Sequence, residues 1–250
     1  MFQRLNSIQN RKGMKILPPV PTLLQTGLVY WVDTSGGSYP GTGTLVKDLV
    51  TNSNNTTLSG SYTYVSATKT IQINNTSTNS SSNVSQMQLT GKATITGGYK
   101  TVSIWYKQLN VNDIWANLFD SRLTAGNFNG IMISRQPSST NGGTYLGGIT
   151  NLYIDGGNSI NITGLQGNSN PGAWTGREFT IGTWHNITVT TTQTFSPMTI
   201  TVANRGAGGE GYNTEIAIVL VYSQQITEAQ NRTNYNYYRN LYPYLKNGGV

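Results

Sequence analysis

The chain has no cysteine among its 250 residues and a single histidine. Without thiols there are no disulfides, thiolate metal sites or cysteine nucleophiles, a pattern that fits a reducing compartment. One imidazole supplies too few nitrogen ligands for a catalytic zinc site. Charged residues make up 10% of the chain, and only 9 of them are acidic. The nearest pair of acids, Glu210 and Glu215, is five positions apart, so local spacing does not create the paired carboxylates of glycoside hydrolysis. No apolar run approaches the length of a membrane span. Ile16-Leu17-Pro18-Pro19-Val20-Pro21 is too broken by proline to serve as the apolar region of a signal peptide.

What is abundant is small and polar: 29 glycines, with Asn, Ser and Thr throughout. Several Asn-x-Ser/Thr triplets, such as Asn186-Ile187-Thr188, follow from that composition. A chain of this length suits one β-sandwich, able to bury roughly 70–75% of its unfolded surface. The formal net charge is +7, and its distribution matters more than its size. Arg4, Arg11, Lys12 and Lys15 all precede the first acid, Asp33. Residues 1–26 show no strand or helix period and end in Pro18, Pro19 and Pro21, which favour an extended conformation. The reading is therefore a basic, Pro-rich arm over 1–26 and one domain over 27–250, with no repeat or linker inside it. The four basic side chains are candidates for docking on an acidic neighbouring surface; a frayed tail is the simpler alternative.

Two stretches organise the domain. In Glu215–Tyr222, alternation sets Ile216, Ile218, Leu220 and Tyr222 against Ala217, Val219 and Val221, so both faces are apolar and need cover. Gly27–Asp33 behaves alike, with Leu28, Tyr30 and Val32 opposite Val29 and Trp31. The expectation is that the two pair near the middle of a sheet. Thr227-Glu228-Ala229-Gln230 has the capping-box form, and Tyr235, Tyr238, Leu241 and Tyr242 follow at helical spacing, predicting one short covering helix. Further strands are expected at Thr44–Leu49, Tyr62–Ser66, Thr70–Ile73, Met87–Thr90, Ala93–Thr96, 99–107, Ile114–Phe119, Gly130–Arg135, Tyr145–Gly148, Leu152–Asp155, Glu178–Ile181, Trp184–Thr191 and Pro197–Ala203.

Chemistry is sparse. His185 falls on an apolar strand face with Ile187 and Val189, where a core imidazole with one hydrogen-bonded nitrogen is expected rather than a catalytic base. Gly206-Ala-Gly-Gly-Glu-Gly211 matches the dinucleotide pattern by letter but leads into a strand instead of a helix, so it reads as a turn. Glycan recognition needs exposed aromatic platforms beside amide donors. Trp105 and Trp184 lie on the more polar faces of their strands and Trp174 sits in a Gly/Asn/Pro loop, making these three the candidate glycan-binding residues. The plainer reading buries the two strand tryptophans under long loops. The basic residues of the folded part are scattered, which speaks against nucleic-acid binding there.

Gly-Leu-Val-Tyr-Trp-Val-Asp at 27–33, Ser-Tyr-Pro-Gly-Thr-Gly-Thr at 38–44 and Lys47-Asp48-Leu49 resemble the opening of concanavalin A-like (laminin-G-like) jelly-roll domains. Tyr212–Tyr222 with the Ser-Gln-Gln-Ile-Thr-Glu-Ala-Gln that follows is similar to their last strand and helix. Thr101–Lys107 and Thr183–Val189 match two strand signatures between these. The wording resembles versions found in virion proteins of tailed phages and large DNA viruses. The resemblance implies an all-β, two-sheet antiparallel sandwich with one C-terminal helix. Together with the missing catalytic constellations, it implies a non-enzymatic structural role, as a minor capsid protein or other virion component whose partners are neighbouring capsid subunits; the alternative is a lectin-like module for a host surface glycan. Laminin-G relatives often bind calcium through rim carboxylates and carbonyls. Asp33, Asp48, Asp120 and Asp155 stand at strand ends, where aspartate usually just turns the chain, and no dense acidic loop accompanies them, so no metal ligand is named and calcium stays open.

Overall fold

The last strand in sequence lies at the centre of the larger sheet. The computed structural model describes residues 21–75, 85–89, 98–110, 116–121, 130–135, 149–161, 180–195, 200–204 and 211–248. Its elements are β1 (Leu28–Asp33), β2 (Leu45–Val46), β3 (Thr56–Ser59), β4 (Tyr62–Val65), β5 (Thr70–Ile73), β6 (Gln86–Leu89) and β7 (Tyr99–Gln108). There follow β8 (Ala116–Asp120), β9 (Met132–Arg135), β10 (Asn151–Ile154), β11 (Ile160–Asn161), β12 (Trp184–Phe195), β13 (Thr201–Val202), β14 (Thr214–Tyr222) and α1 (Glu228–Leu241). A π-type turn (Thr34–Ser38) follows β1, and a 3-10 turn (Pro243–Gly248) follows the helix.

Two antiparallel sheets form a sandwich. One runs β11-β10-β12-β7-β14-β5-β4 and the other β2-β3-β6-β13-β8-β9. Every residue of β14 is buried. One of its edges pairs with β7 along its length, while β5 takes the other edge at Thr214–Ile216 and β1 takes it at Ile218–Tyr222. The expected pairing of the first and last core stretches is present, with Leu28 opposite Tyr222 and Asp33 opposite Ile218. Where β5 hands over to β1, the Ala217 carbonyl accepts a hydrogen bond from Thr34 Oγ1 at 3.1 Å.

Strict alternation fails at that junction. Ile216 pairs with Tyr106 and Ile218 with Trp105, so Ala217 is the extra residue of a bulge. Ile216 therefore joins Val219 and Val221 between the sheets, while Ala217, Ile218, Leu220 and Tyr222 face outward beneath the helix. A second bulge in β1, between Leu28 and Tyr30, sends Leu28 outward and packs Val29 against the inter-sheet core. The sequence-based grouping of Ile216 with Ile218, and of Leu28 with Tyr30, is corrected on both counts.

The helix starts as expected, with Thr227 and Gln230 exchanging side-chain to backbone bonds in a capping box. Tyr235 and Tyr238 are buried, but Leu241 is 46% exposed. The helix ends at that residue with the Tyr242 N–H on the Tyr238 carbonyl, and the turn beyond delivers Leu245 to the core instead. The expected strand at Thr44–Leu49 shrinks to β2, the described part of Pro197–Ala203 is strand only in β13, and β3 and β11 are additional to the expected strands. Thr180–Ile181, expected to end a strand, is the approach to a turn at Gly182, whose φ of +76° suits glycine. Ala93–Thr96 and Tyr145–Gly148 lie outside the described residues.

The chain entering β1 is docked on this body. Leu23 is buried in the outward cluster, and the Leu24 N–H donates to Asn234 Oδ1 at 3.0 Å while its carbonyl accepts from Tyr222 Oη at 3.2 Å. Residues 21–26 thus run along α1.

Candidate functional site

The outward face of the larger sheet gathers the side chains with chemical potential. Register places Trp184, Lys107, Glu215, Gln72 and Thr63 in one row across β12, β7, β14, β5 and β4. Glu215, 2% exposed, forms an ion pair with Lys107, accepts from Thr70 Oγ1, and accepts from Thr68 Oγ1 at 3.0 Å. The Lys107 ammonium stands 5.2 Å from the centroid of the Trp184 ring. Tyr244 of the closing turn packs on the same ring at 5.4 Å.

Trp105 lies beside this row. Its ring stacks on Tyr235 at 5.0 Å with planes 8° apart, and the Arg239 guanidinium stands 5.2 Å from the centroid of the Tyr235 ring. Trp105 is 1% exposed and Trp184 is 4% exposed, so neither offers an open ring face. The cover is α1 and the turn behind it, not the long loops expected from sequence. Trp174 and the arm residues Arg4, Arg11, Lys12 and Lys15 lie outside the described residues. So does 205–210 of the glycine loop, but the loop leads into β14, a strand, as the reading required.

Asp33 closes the other end of the face. It ends β1, caps the π-type turn by accepting from the Gly36 N–H at 2.7 Å, and accepts from Tyr242 Oη at 3.0 and 2.9 Å. Burial pushes its pKa up to about 6, against the hydrogen bonds from Tyr242 and Gly36 that pull it down. The same desolvation lifts Tyr235 to about 12 and raises Tyr238, Tyr242 and Tyr244 above the ordinary phenol range, so this aromatic layer stays neutral at any physiological pH.

On the inward face, His185 is 3% exposed between the sheets' ends, with its Nδ1 2.8 Å from Asp155 Oδ2 and its ring tilted on Tyr106. Asp155 Oδ1 accepts from the Asn186 N–H at 2.8 Å. His185 Nε2 is buried without a partner among the described residues. This is the singly hydrogen-bonded core imidazole expected from the sequence.

Two further carboxylates among the described residues are likewise engaged. Asp48 accepts from the N–H groups of Trp31 and Val50 and from Thr51 Oγ1, and Glu228 pairs with Arg232 while accepting from the Ser159 N–H. Among the described residues no three His, Cys, Asp or Glu side chains converge to hold a metal ion. Sequence reasoning missed the Lys107–Glu215 pair and the Asp33–Tyr242 contact. The signal for the first was present: Glu215 is the one charge in an apolar strand, and the charges of β7, Lys100 and Lys107, are of the opposite sign.

A groove of about 360 Å³ runs between Thr22–Gln25 and the Ala229, Gln230 and Thr233 face of α1.

No family model matches the chain, and no curated protein does. Solved structures match in fold. Trypanosoma rangeli sialidase in complex with the inhibitor DANA matches with a TM-score of 0.52 at 8% identity, over 86% of this chain and 33% of the sialidase. The same sialidase with sialic acid gives 0.50 at 9% identity, over 89% and 34%. The receptor binding domain of botulinum neurotoxin C/D mosaic serotype gives 0.44 at 11% identity, over 84% and 51%. The chain spans about a third of the sialidase's length, and at such identity the likeness is one of β-sandwich fold alone.

Proposed function

We propose that the chain is a non-enzymatic interaction protein, a minor capsid or other virion component, whose concanavalin A-like domain is tied to neighbouring subunits by its basic leading segment. The observation that carries this reading is the engagement of five carboxylates among the described residues. Asp33, Asp48, Asp155, Glu215 and Glu228 each spend their oxygens on this chain's own donors. None of these five is presented as an acid, base or nucleophile toward a substrate. Arg4, Arg11, Lys12 and Lys15 concentrate positive charge in the sequence that precedes Thr22. The viral setting is supported by the sequence resemblance.

Removing residues 1–20 tests the proposal. The shortened protein is expected to keep the full chain's circular dichroism and melting temperature yet fail to enter particles. Normal incorporation would defeat it.

A second reading, a lectin-like module, is favoured by the fold shared with part of a sialidase solved with sialic acid. With Trp105 and Trp184 buried, Trp174 is the residue left to carry it. A glycan array that includes sialosides, run with the full chain and with Trp174→Ala, distinguishes the two readings. Binding lost in the variant supports the module.

A further inference from the structure

We propose that β4 is a self-association edge, on which a second copy of this chain pairs its own β4 antiparallel about a two-fold axis through Thr63. β4 ends the larger sheet, and among the described residues nothing pairs with its far side. Its pairing with β5 runs without a shift from Tyr62 opposite Ile73 to Val65 opposite Thr70. The Asn74 N–H, donating to the Ser61 carbonyl at 2.9 Å, closes that ladder and fixes its phase. Alternation then turns the N–H and C=O groups of Thr63 and Val65 toward β5 and those of Tyr62 and Tyr64 away from it. The open side of the strand offers donors and acceptors at a spacing that another extended backbone matches. The inference rests on neither functional reading.

Sheet edges are ordinarily protected by charge, proline, a bulge or brevity. Of the other sheet ends, β11 and β2 are two residues long and β9 carries Arg135. β4 is longer than the first two and lacks the charge of the third: Tyr-Thr-Tyr-Val is strand-favouring, and its register is unbroken. The strand is also held firmly from behind. The Tyr62 and Tyr64 rings pack on the inter-sheet core, Tyr62 Oη donates to the Gly43 carbonyl at 3.1 Å, and Tyr64 meets Tyr39 edge-on at 5.8 Å. Thr63 is exposed on the outward face. The open side is therefore preformed, and pairing there needs little reordering.

A second copy suits this edge because the two-fold makes each new cross-strand pair a favourable one. With the axis at Thr63, Tyr62 of each copy exchanges both backbone bonds with Tyr64 of the other, and the tyrosines become cross-strand neighbours over the joined core. Thr63 meets Thr63 across the axis on the outward face, hydroxyl beside hydroxyl. Lys69, in the turn that joins β4 to β5, is carried to opposite ends of the paired strands, so these like charges do not meet. A patch this short falls below about 1,000 Å², which makes the pairing weak and dependent on protein concentration.

Cysteine substitution in the full chain tests the pairing, because the unmodified protein has no thiol. Facing residues of a non-hydrogen-bonded antiparallel pair have Cα atoms about 4.5 Å apart, within the roughly 4.4–6.8 Å that a disulfide spans. Thr63→Cys, oxidised at about 1 mM protein, is expected to form a covalent dimer about tenfold faster than Val50→Cys, a control at a position 39% exposed. In the linked dimer the Tyr62 and Tyr64 amides should gain about tenfold protection from hydrogen exchange over the reduced protein, while those of Thr63 and Val65, already bonded to β5, stay unchanged. Thr63→Lys and Thr63→Glu, sedimented at the same concentration, should each run as a monomer and their mixture as a dimer. Equal crosslinking of the two cysteine variants, Tyr62 and Tyr64 amides indifferent to the link, or a mixture of the charged variants that stays monomeric would each overturn the proposal, in favour of another chain's strand or of an edge left bare.

Discussion

Lys107 and Glu215 are bound to each other yet unequal in what they lose when separated. Lys107 retains 21% side-chain exposure whereas Glu215 has 2%. Removing the lysine strands a carboxylate that cannot reach water; removing the glutamate's charge leaves an ammonium that can still be hydrated and keeps its place over Trp184. Lys107→Met is therefore expected to destabilise by about 3 kcal/mol and Glu215→Gln by about 1 kcal/mol, as read from urea denaturation midpoints. Equal losses would mean that the carboxylate is already solvated. At this scale the sequence exposed the individual residues but not their company. His185 was readable as a core imidazole because its neighbours on the strand are Ile187 and Val189. Its partner Asp155, thirty positions earlier, follows only from the pairing of β10 with β12. Asp33 looked like an ordinary turn aspartate because Tyr242 reaches it across 209 positions.

Among the elements, the clearest test is the turn that joins β10 to β11. Gly156 has a φ of +69°, and a Cβ there would stand 2.4 Å from Tyr235 Cδ1. The hairpin tip thus presses bare backbone onto the ring that stacks on Trp105. Gly156→Ala combines left-handed strain with overpacking and should cost on the order of 3 kcal/mol, visible as a lower melting temperature and a shift in tryptophan emission. Element existence was largely readable: β1, β7, β14 and the capped helix all carry strong periodic or capping signals. Their details were less so. The bulges at Val29 and Ala217 are dictated by which partner strand lies alongside, so the local pattern of Ile216 and Ile218 gives no warning of them. β11 and β13 are two residues long and owe their identity to their neighbours.

For the molecule as a whole, the boundary between arm and domain can be tested by length. Residues 21–26 contribute Leu23 to the outward cluster and two hydrogen bonds at Leu24. Deleting 1–26 should therefore cost about 2–4 kcal/mol and lower the melting temperature by on the order of 5–10 °C, whereas deleting 1–20 should leave it unchanged. Equal melting points for both truncations would place the arm's end after residue 26. Composition announced a single sandwich, and the two-sheet architecture follows it. The docked stretch was not apparent, because Leu23 and Leu24 are a lone apolar pair behind three prolines, with no period to assign them a face.

The position of β14 also bears on how the protein comes into being. Its nine residues join β7, β1 and β5 within the larger sheet, yet every other described strand precedes them in the chain. A nascent chain therefore carries β7 with one edge unpaired and apolar surface bare until β14 has emerged, a condition that favours aggregation or chaperone capture. Closure of the larger sheet waits on that emergence.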